Sequence, residues 1–119
     1  MAEITVYEKR ACSTCRRLTD LLEARGVDFD RVEYHVEGLT EPEIRGLLAK
    51  AGVGPREVLR RKEPLVAELG LEDPRVGNDE LIRRMAEHPR LLQRPIVVRG
   101  DRAVLARPPE RVLELFDLR

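Results

Sequence analysis

The sequence has few of the residues on which several common classes of protein depend. Its 119 residues include no tryptophan, only four other aromatic residues, two cysteines and two histidines. Two cysteines are too few for a disulfide scaffold, which favours redox or metal chemistry for them. The 22 basic and 22 acidic side chains cancel. Because general polyanion binding needs an excess or a face of positive charge, we expect no direct contact with nucleic acid.

Long apolar runs are also missing. The longest spans four residues, 103–106, whereas a membrane-spanning helix needs about 20. No secretory peptide is predicted, since Glu3 interrupts the start of the sequence and residues 4–7 already have the pattern of a strand. These features predict a cytoplasmic protein with no membrane partner.

The first third of the chain has the pattern of a βαβ unit. Residues 3–7 alternate apolar and polar side chains, a helical pattern runs from about Cys15 to a stop at Gly26, and alternation resumes over residues 32–36. Such units almost always cross over right-handed, so the two strands are expected to be parallel.

The middle of the chain is predicted to be helical. Thr40 begins a capping-box sequence, an apolar stripe follows it, and Gly52 closes the stripe. Residues 55–71 resemble short helical turns. A second stripe over residues 81–86 follows Asn78, which is a plausible N-cap.

The last third predicts a hairpin and a terminal helix. Gly100-Asp101 separates the apolar runs 96–98 and 103–105, as a two-residue hairpin turn does, and an amphipathic helix follows Pro108.

The order of these elements predicts an α/β protein of thioredoxin-like fold. A mixed four-stranded sheet, formed by βαβ and then ββα, would carry helices on both faces. The helices between the two halves form a predicted insertion at about residues 40–88. The chain length predicts one domain over residues 1–119.

The two cysteines lie in the predicted turn from the first strand into the first helix. Cys12 falls near the helix N-terminus, where free amide groups and the helix dipole favour a thiolate, and Arg10, Arg16 and Arg17 add positive charge nearby. Cys15 follows about one turn later. At this spacing a modest adjustment would let the pair form a reversible disulfide.

Two other interpretations of the cysteines remain open. Both could be small core residues at an accidental spacing. Two cysteines and two histidines could also make a zinc set in number, but His35 and His88 are far apart in sequence and lack finger-like spacing. We therefore predict redox chemistry, no metal, and ordinary polar roles for both histidines.

Several motifs run in order along the chain: Y-x-x-x-A-C-x-T at 7–14, L-R-x-K-x-P at 59–64, E-L-G-L at 68–71, H-P-x-L-L-x-R-P-I-V-V at 88–98, and R-P at 107–108. Together they resemble the glutaredoxin-linked arsenate reductase family. The Spx-type regulators of RNA polymerase share the fold of that family and much of the same pattern.

The resemblance implies a site that spacing alone could not have identified. It implies an active-site cysteine at Cys12 and three anion-holding arginines, Arg60, Arg94 and Arg107. It also implies a cis peptide bond before Pro95. Planar guanidinium groups would grip the oxygens of arsenate, and the Cys12 thiolate would attack the arsenic atom.

The chain departs from the family pattern at two positions. Glu8 stands where family reductases usually carry a histidine, and a carboxylate there would raise the pKa of Cys12 unless arginines neutralise it. Cys15 stands where serine is common. As a resolving thiol it could convert an adduct on Cys12 into an internal disulfide.

These observations lead to three alternatives for function. The first is a thiol-dependent arsenate reductase, with an oxyanion substrate, no bound cofactor, and glutathione with glutaredoxin, or thioredoxin, as the external thiol donor. The second is an Spx-type redox switch that binds the RNA polymerase α subunit, although such regulators generally lack the residue equivalent to Arg107. The third is a glutaredoxin-like thiol-disulfide oxidoreductase with another substrate.

Overall fold

The computed structural model describes residues 3–9 and 11–116 and contains a four-stranded mixed sheet. Its strands are β1 (Ile4–Glu8), β2 (Phe29–Glu33), β3 (Ile96–Arg99) and β4 (Arg102–Leu105), in the order β2-β1-β3-β4. The central strand β1 runs parallel to β2 and antiparallel to β3, and β3 and β4 are antiparallel. This arrangement confirms the predicted thioredoxin-like fold.

In the residues that the structure describes, five α-helices and three 3₁₀ segments connect and cover the strands. The α-helices are α1 (Ser13–Ala24), α2 (Tyr34–Glu37), α3 (Glu41–Ala51), α4 (Pro64–Glu68) and α5 (Asn78–Glu87). The 3₁₀ segments are Pro55–Val58, Pro89–Leu91 and Pro109–Leu115. No helix within these described parts of the chain is both long enough and apolar enough to span a lipid bilayer.

Apolar side chains pack on both faces of the sheet, as predicted. On one face, Ile4 and Val6 pack with Leu18 of α1 and Val112 of the last 3₁₀ segment. The opposite face carries a larger cluster drawn mainly from residues 34–98, in which Ile96 of β3 is a member. Burial of apolar area on both sides supplies most of the driving force for this layered arrangement.

The second strand ends earlier than the alternation over residues 32–36 predicts. It stops at Glu33, and α2 takes the following residues. Tyr34 leaves the strand pattern because its ring is buried in the larger cluster and its hydroxyl donates to the Leu92 carbonyl oxygen at 2.7 Å. The Glu37 carboxylate accepts the backbone N–H of Glu33 at 3.1 Å. Because Glu33 is the N-cap of α2, this hydrogen bond connects the two ends of the short helix.

The helix boundaries confirm one predicted cap and correct another. The Thr40 hydroxyl accepts the N–H of Glu43 at 3.2 Å, and the Glu43 carboxylate accepts the N–H of Thr40 at 2.9 Å, which completes the capping box. Gly52 ends α3 with φ of 68°. The prediction that Asn78 caps α5 is wrong by one residue, because Gly77 is the N-cap and Asn78 is already helical.

Candidate active site

The turn between β1 and α1 places Cys12 at the N-terminus of a twelve-residue helix. Cys12 is the N-cap residue and has extended backbone angles. Its N–H donates to the Lys9 carbonyl oxygen at 2.9 Å, and its own carbonyl accepts the N–H of Arg16 at 3.1 Å. The sulfur is therefore fixed beside the free amide groups that begin the helix.

These surroundings favour the thiolate form of Cys12. Partial burial opposes ionisation, but hydrogen bonds from the backbone and side chain of Cys15, the Arg94 side chain and the Thr14 backbone together lower the pKa of Cys12 to about 7. At neutral pH a large fraction of this sulfur is then a nucleophilic thiolate.

Cys15 lies one turn further along α1 and has the opposite character. It is completely buried, at 0% exposure. Burial raises its pKa to about 12, and the charges of Cys12 and Glu8 add to the effect, although the Lys9 N–H donates to the sulfur. Both cysteines are free, and their side chains lie close together, so that each affects the pKa of the other.

The three arginines implied by the resemblance come together around residues 93 and 94. Arg94 is buried, at 6% exposure, and its side chain is one of the groups that lower the pKa of Cys12. Arg107 donates from Nη1 to the Arg94 carbonyl oxygen at 2.8 Å. Arg60 lies within 3.4 Å of Gln93, measured from Nη1 to Oε1.

Backbone hydrogen bonds join the segment of residues 58–60 to that of residues 91–93. Arg60 donates its N–H to the Leu91 carbonyl oxygen at 2.7 Å, and Gln93 donates its N–H to the Val58 carbonyl oxygen at 2.8 Å. Leu59 and Leu92 form the bridge between these bonds. The peptide bond between Arg94 and Pro95 is cis, as the resemblance implies, and so is the bond between residues 107 and 108.

Glu8 does not prevent the ionisation of Cys12. Its carboxylate is buried, at 1% exposure, and accepts from Arg31 Nη1 at 3.3 Å. Its charge raises the pKa of Cys15, while that of Cys12 is lowered. The expected opposition of Glu8 to the Cys12 thiolate is therefore overcome.

Arg16 and Arg17, the other predicted basic neighbours, are not among the groups that lower the pKa of Cys12, whereas Arg94 is. Arg16 is exposed to solvent, and Arg17 lies 3.8 Å from Glu110 in an exposed ion pair. Exposed pairs of this kind interact weakly because water screens them. Arg10 lies outside the described residues.

His35 lies near the same basic side chains, and the sequence analysis did not place it there. Burial and the charges of Arg94, Lys9 and Arg60 lower its pKa to about 4, while Glu63 opposes the shift. Its Nε2 is buried and has no hydrogen-bond partner among the described residues. The ring packs on Tyr34, with centroids 4.7 Å apart.

The position of His35 in the fold could have indicated its environment. The carboxyl ends of the parallel strands β1 and β2 lie at the same edge of the sheet, so residues that follow both strands converge there.

Within residues 3–9 and 11–116, no group of three or more His, Cys, Asp or Glu side chains could hold a metal ion.

The chain is similar in sequence to known proteins. The sequence model of the ArsC family matches residues 7–115. An arsenate reductase from Neisseria meningitidis serogroup A is 37% identical over 94% of this chain and 97% of that protein. The arsenate reductase ArsI2 from Synechocystis is 39% identical over 96% of this chain and 81% of that protein.

A solved structure shows the same backbone arrangement. The arsenate reductase from Vibrio cholerae superposes with a TM-score of 0.90 at 38% identity, over 93% of this chain and 95% of the other.

Proposed function

Because the chain belongs to the ArsC family, we propose that it is a thiol-dependent arsenate reductase in which Cys12 is the nucleophile. The buried Arg94 side chain carries this proposal, because it lies close enough to the Cys12 sulfur to lower the pKa of that thiol. A cation at that position supports the thiolate and lies where an anionic substrate must arrive.

The gathered arginines suit a tetrahedral oxyanion. Arsenate is a dianion near neutral pH, and Arg60, Arg94 and Arg107 would bind its oxygens with charge-assisted hydrogen bonds. Arg94 Nε is a buried donor with no partner among the described residues. A bound oxygen would satisfy such a donor, because leaving it unpaired costs free energy.

The proposed chemistry begins at the sulfur of Cys12. The thiolate attacks arsenic, a sulfur–arsenic bond forms, and one oxygen leaves as hydroxide that is protonated to water. An external thiol then attacks the Cys12 sulfur of this adduct. The sulfur–arsenic bond breaks, its electron pair reduces arsenic(V) to arsenite, and Cys12 is left in a mixed disulfide with the donor.

Cys15 is proposed to complete the cycle. Its side chain lies close to that of Cys12, so it can attack the mixed disulfide, form an internal disulfide and release the donor. Glutathione with glutaredoxin, or thioredoxin, would then reduce the internal disulfide. We place this cycle in the cytoplasm, where such donors keep thiols reduced.

The test is arsenate-dependent oxidation of NADPH coupled through glutathione and glutaredoxin, or through thioredoxin. We expect turnover with arsenate, none with sulfate, and none from Cys12→Ser. The exposed variant Ser13→Ala, adjacent in sequence, is the matched control. Absence of arsenate-dependent turnover with both donor systems would refute the proposal, and full activity of Cys12→Ser would refute the nucleophile.

The redox switch that binds RNA polymerase remains a prediction from sequence. A pull-down of purified α subunit with oxidised and reduced protein tests it. Binding that depends on the redox state would favour the switch, and equal binding or none would count against it.

A further inference from the structure

Glu8 occupies a position in β1 where an apolar side chain would be expected. Ile4, Val6 and Glu8 are the buried members of the alternating strand. A carboxylate loses hydration at such a site and needs a compensating partner. Arg31 supplies one at 3.3 Å. The ion pair explains how the charge is tolerated and leaves open what the carboxylate does.

The surroundings of Glu8 connect it to Cys15. Lys9, the next residue in the chain, donates its N–H to the Cys15 sulfur. Glu8 also lines one cleft together with Ser13 and Thr19, which lie on α1 on either side of Cys15 in sequence. Glu8 is therefore packed beside the two helical turns that carry the buried thiol.

The buried thiol faces a difficulty that Cys12 does not. A thiol must lose its proton before its sulfur can attack a disulfide. Cys15 has 0% exposure, so bulk water cannot take that proton directly. A nearby proton acceptor that itself has access to water would remove the difficulty.

We propose that Glu8 accepts the proton of Cys15 as Cys15 attacks the mixed disulfide on Cys12, and then releases that proton to water in the cleft. The inference rests on the proposed resolving role of Cys15. The Cys15–Cys12 sulfur bond forms, the bond from Cys12 to the donor breaks, and the donor leaves as a thiolate that takes up a proton from water. The step is thiol–disulfide exchange and needs no further oxidant or reductant.

The chemistry of the preceding step favours this transfer. Once Cys12 is in a mixed disulfide it carries no negative charge, so one of the effects that hold the proton on Cys15 is removed. Arg31 is charged throughout and favours the ionised form of Glu8, which is the form able to accept a proton.

The cleft supplies the route to solvent. It has a volume of about 490 Å³ and opens along α1, from Ser13 to Glu23. Charged and titratable groups on the described elements around Glu8 include Lys9, Cys12, Arg16, Arg17, Asp20, Glu23, Arg31, Glu33 and His35. Arg31 donates a hydrogen bond to Glu8 at 3.3 Å, so its substitution is expected to shift the pH profile.

A reaction with DTNB, a chromogenic aromatic disulfide, tests the proposal without arsenate. Reduced protein should release one thionitrobenzoate when Cys12 attacks the reagent and a second when Cys15 resolves the mixed disulfide. Cys15→Ser should release only one. Stopped-flow absorbance from pH 5 to 9 gives the rate of each phase.

We expect Glu8→Gln to lower the ratio of the second rate to the first at least tenfold near neutral pH. The second phase should then rise with pH because only hydroxide or buffer can take the proton. Glu8→Asp should restore part of the rate. Asp20→Asn, which changes a carboxylate in the same cleft, should leave the ratio unchanged. Arg31→Gln, which keeps Glu8, should move the profile of the second phase to higher pH.

The outcomes separate this inference from the proposed function. Glu8→Gln with the ratio and pH profile of the parent protein would overturn the role of Glu8. Release of a single thionitrobenzoate by the parent would overturn the resolving role of Cys15 and the inference with it. Two equivalents released by a protein that does not reduce arsenate would refute the substrate alone and leave the role of Glu8 to be decided by the variants.

Discussion

Two sulfurs three residues apart have opposite environments. Cys12 is half-buried at the start of α1 and lies close to Arg94, and its pKa is lowered to about 7. Cys15 is buried one turn later against the side of the sheet that holds Glu8, and its pKa is raised to about 12. Residue type cannot explain this difference. Helix amides and a cation stabilise one thiolate, while burial and negative charges destabilise the other.

The two environments also assign an order to the proposed chemistry. The sulfur that is ionised at neutral pH can attack first, and the sulfur that keeps its proton cannot compete for the substrate. Only after Cys12 has reacted does the electrostatic barrier to ionising Cys15 fall. The predictions below test the contrast, beginning with the largest expected effect.

Selective alkylation is the most direct test of the contrast. At pH 7, pKa values of about 7 and about 12 give thiolate fractions whose ratio is roughly 5 × 10⁴. The greater nucleophilicity of the more basic thiolate offsets about two powers of ten. We expect iodoacetamide to modify Cys12 at least roughly 300 times faster than Cys15, measured by peptide mass spectrometry. Equal labelling of both cysteines in the folded protein would contradict the assignment.

Replacing Arg94 should make the Cys12 thiolate less stable and so reduce the difference between the two cysteines. Arg94→Ala deletes a cation that lowers the pKa of Cys12 and is proposed to bind arsenate. We expect kcat/KM for arsenate to fall by about 10²-fold or more, and the pKa of Cys12 to rise. Steady-state kinetics and the pH dependence of alkylation measure the two effects. Arg61→Ala, an exposed arginine paired with Glu72, is the control and should change neither.

Replacing Cys15 should have a smaller effect on the pKa of Cys12. Cys15→Ala deletes a side-chain hydrogen bond to the Cys12 sulfur but keeps the backbone amides. We expect the pKa of Cys12 to rise by about half a unit to one unit. Thiolate absorbance at 240 nm across a pH series measures it. Cys15→Ser retains a donor and should give a smaller rise, so equal shifts in the two variants would argue against the hydrogen bond.

Titration of His35 should have a still smaller effect, which is measured as a pH dependence of the free energy of unfolding. Its pKa is about 4 in the folded protein against an ordinary value of 6.5, so between these values the unfolded chain binds more protons. Stability should therefore rise with pH from about 4 to 6.5. Because the ring is partly exposed, we expect a slope well below about 1.4 kcal/mol per pH unit.

The measurement is urea unfolding at several pH values. Replacement by glutamine, His35→Gln, should flatten the dependence of stability on pH in that window. His88→Gln, which changes the other histidine, is the control and should leave the dependence in place. An unchanged slope in the His35 variant would show that another group causes it.

Local sequence patterns predicted much of the fold because the interactions behind them are local. The Thr40 capping box joins residues three apart, and the hairpin turn at Gly100 joins adjacent strands. The same holds for the site of Cys12, which depends on the strand and helix that flank it. Tyr34 shows the limit, because a core contact with Leu92, 58 residues away, overrides the alternation that predicts a longer strand.

The rest of the site depends on contacts that sequence spacing does not encode. Nineteen arginines are present, and nothing local distinguishes Arg60 or Arg107 from the exposed ones. Only the family motif identified them. His35 and Glu8 were not recognised as neighbours of Arg94 and Cys15, because each owes its environment to segments distant in sequence.

The bridge between Leu59 and Leu92 joins two segments that are distant in sequence. Its two hydrogen bonds are donated by the N–H groups of Arg60 and Gln93, each to the opposite segment, and they close a loop of some thirty residues. Local opening there would release the guanidinium groups on both sides together. Amide exchange at Arg60 and Gln93 should therefore report the integrity of the proposed anion site. An opening event that leaves the sheet intact would be enough to abolish the proposed binding of arsenate.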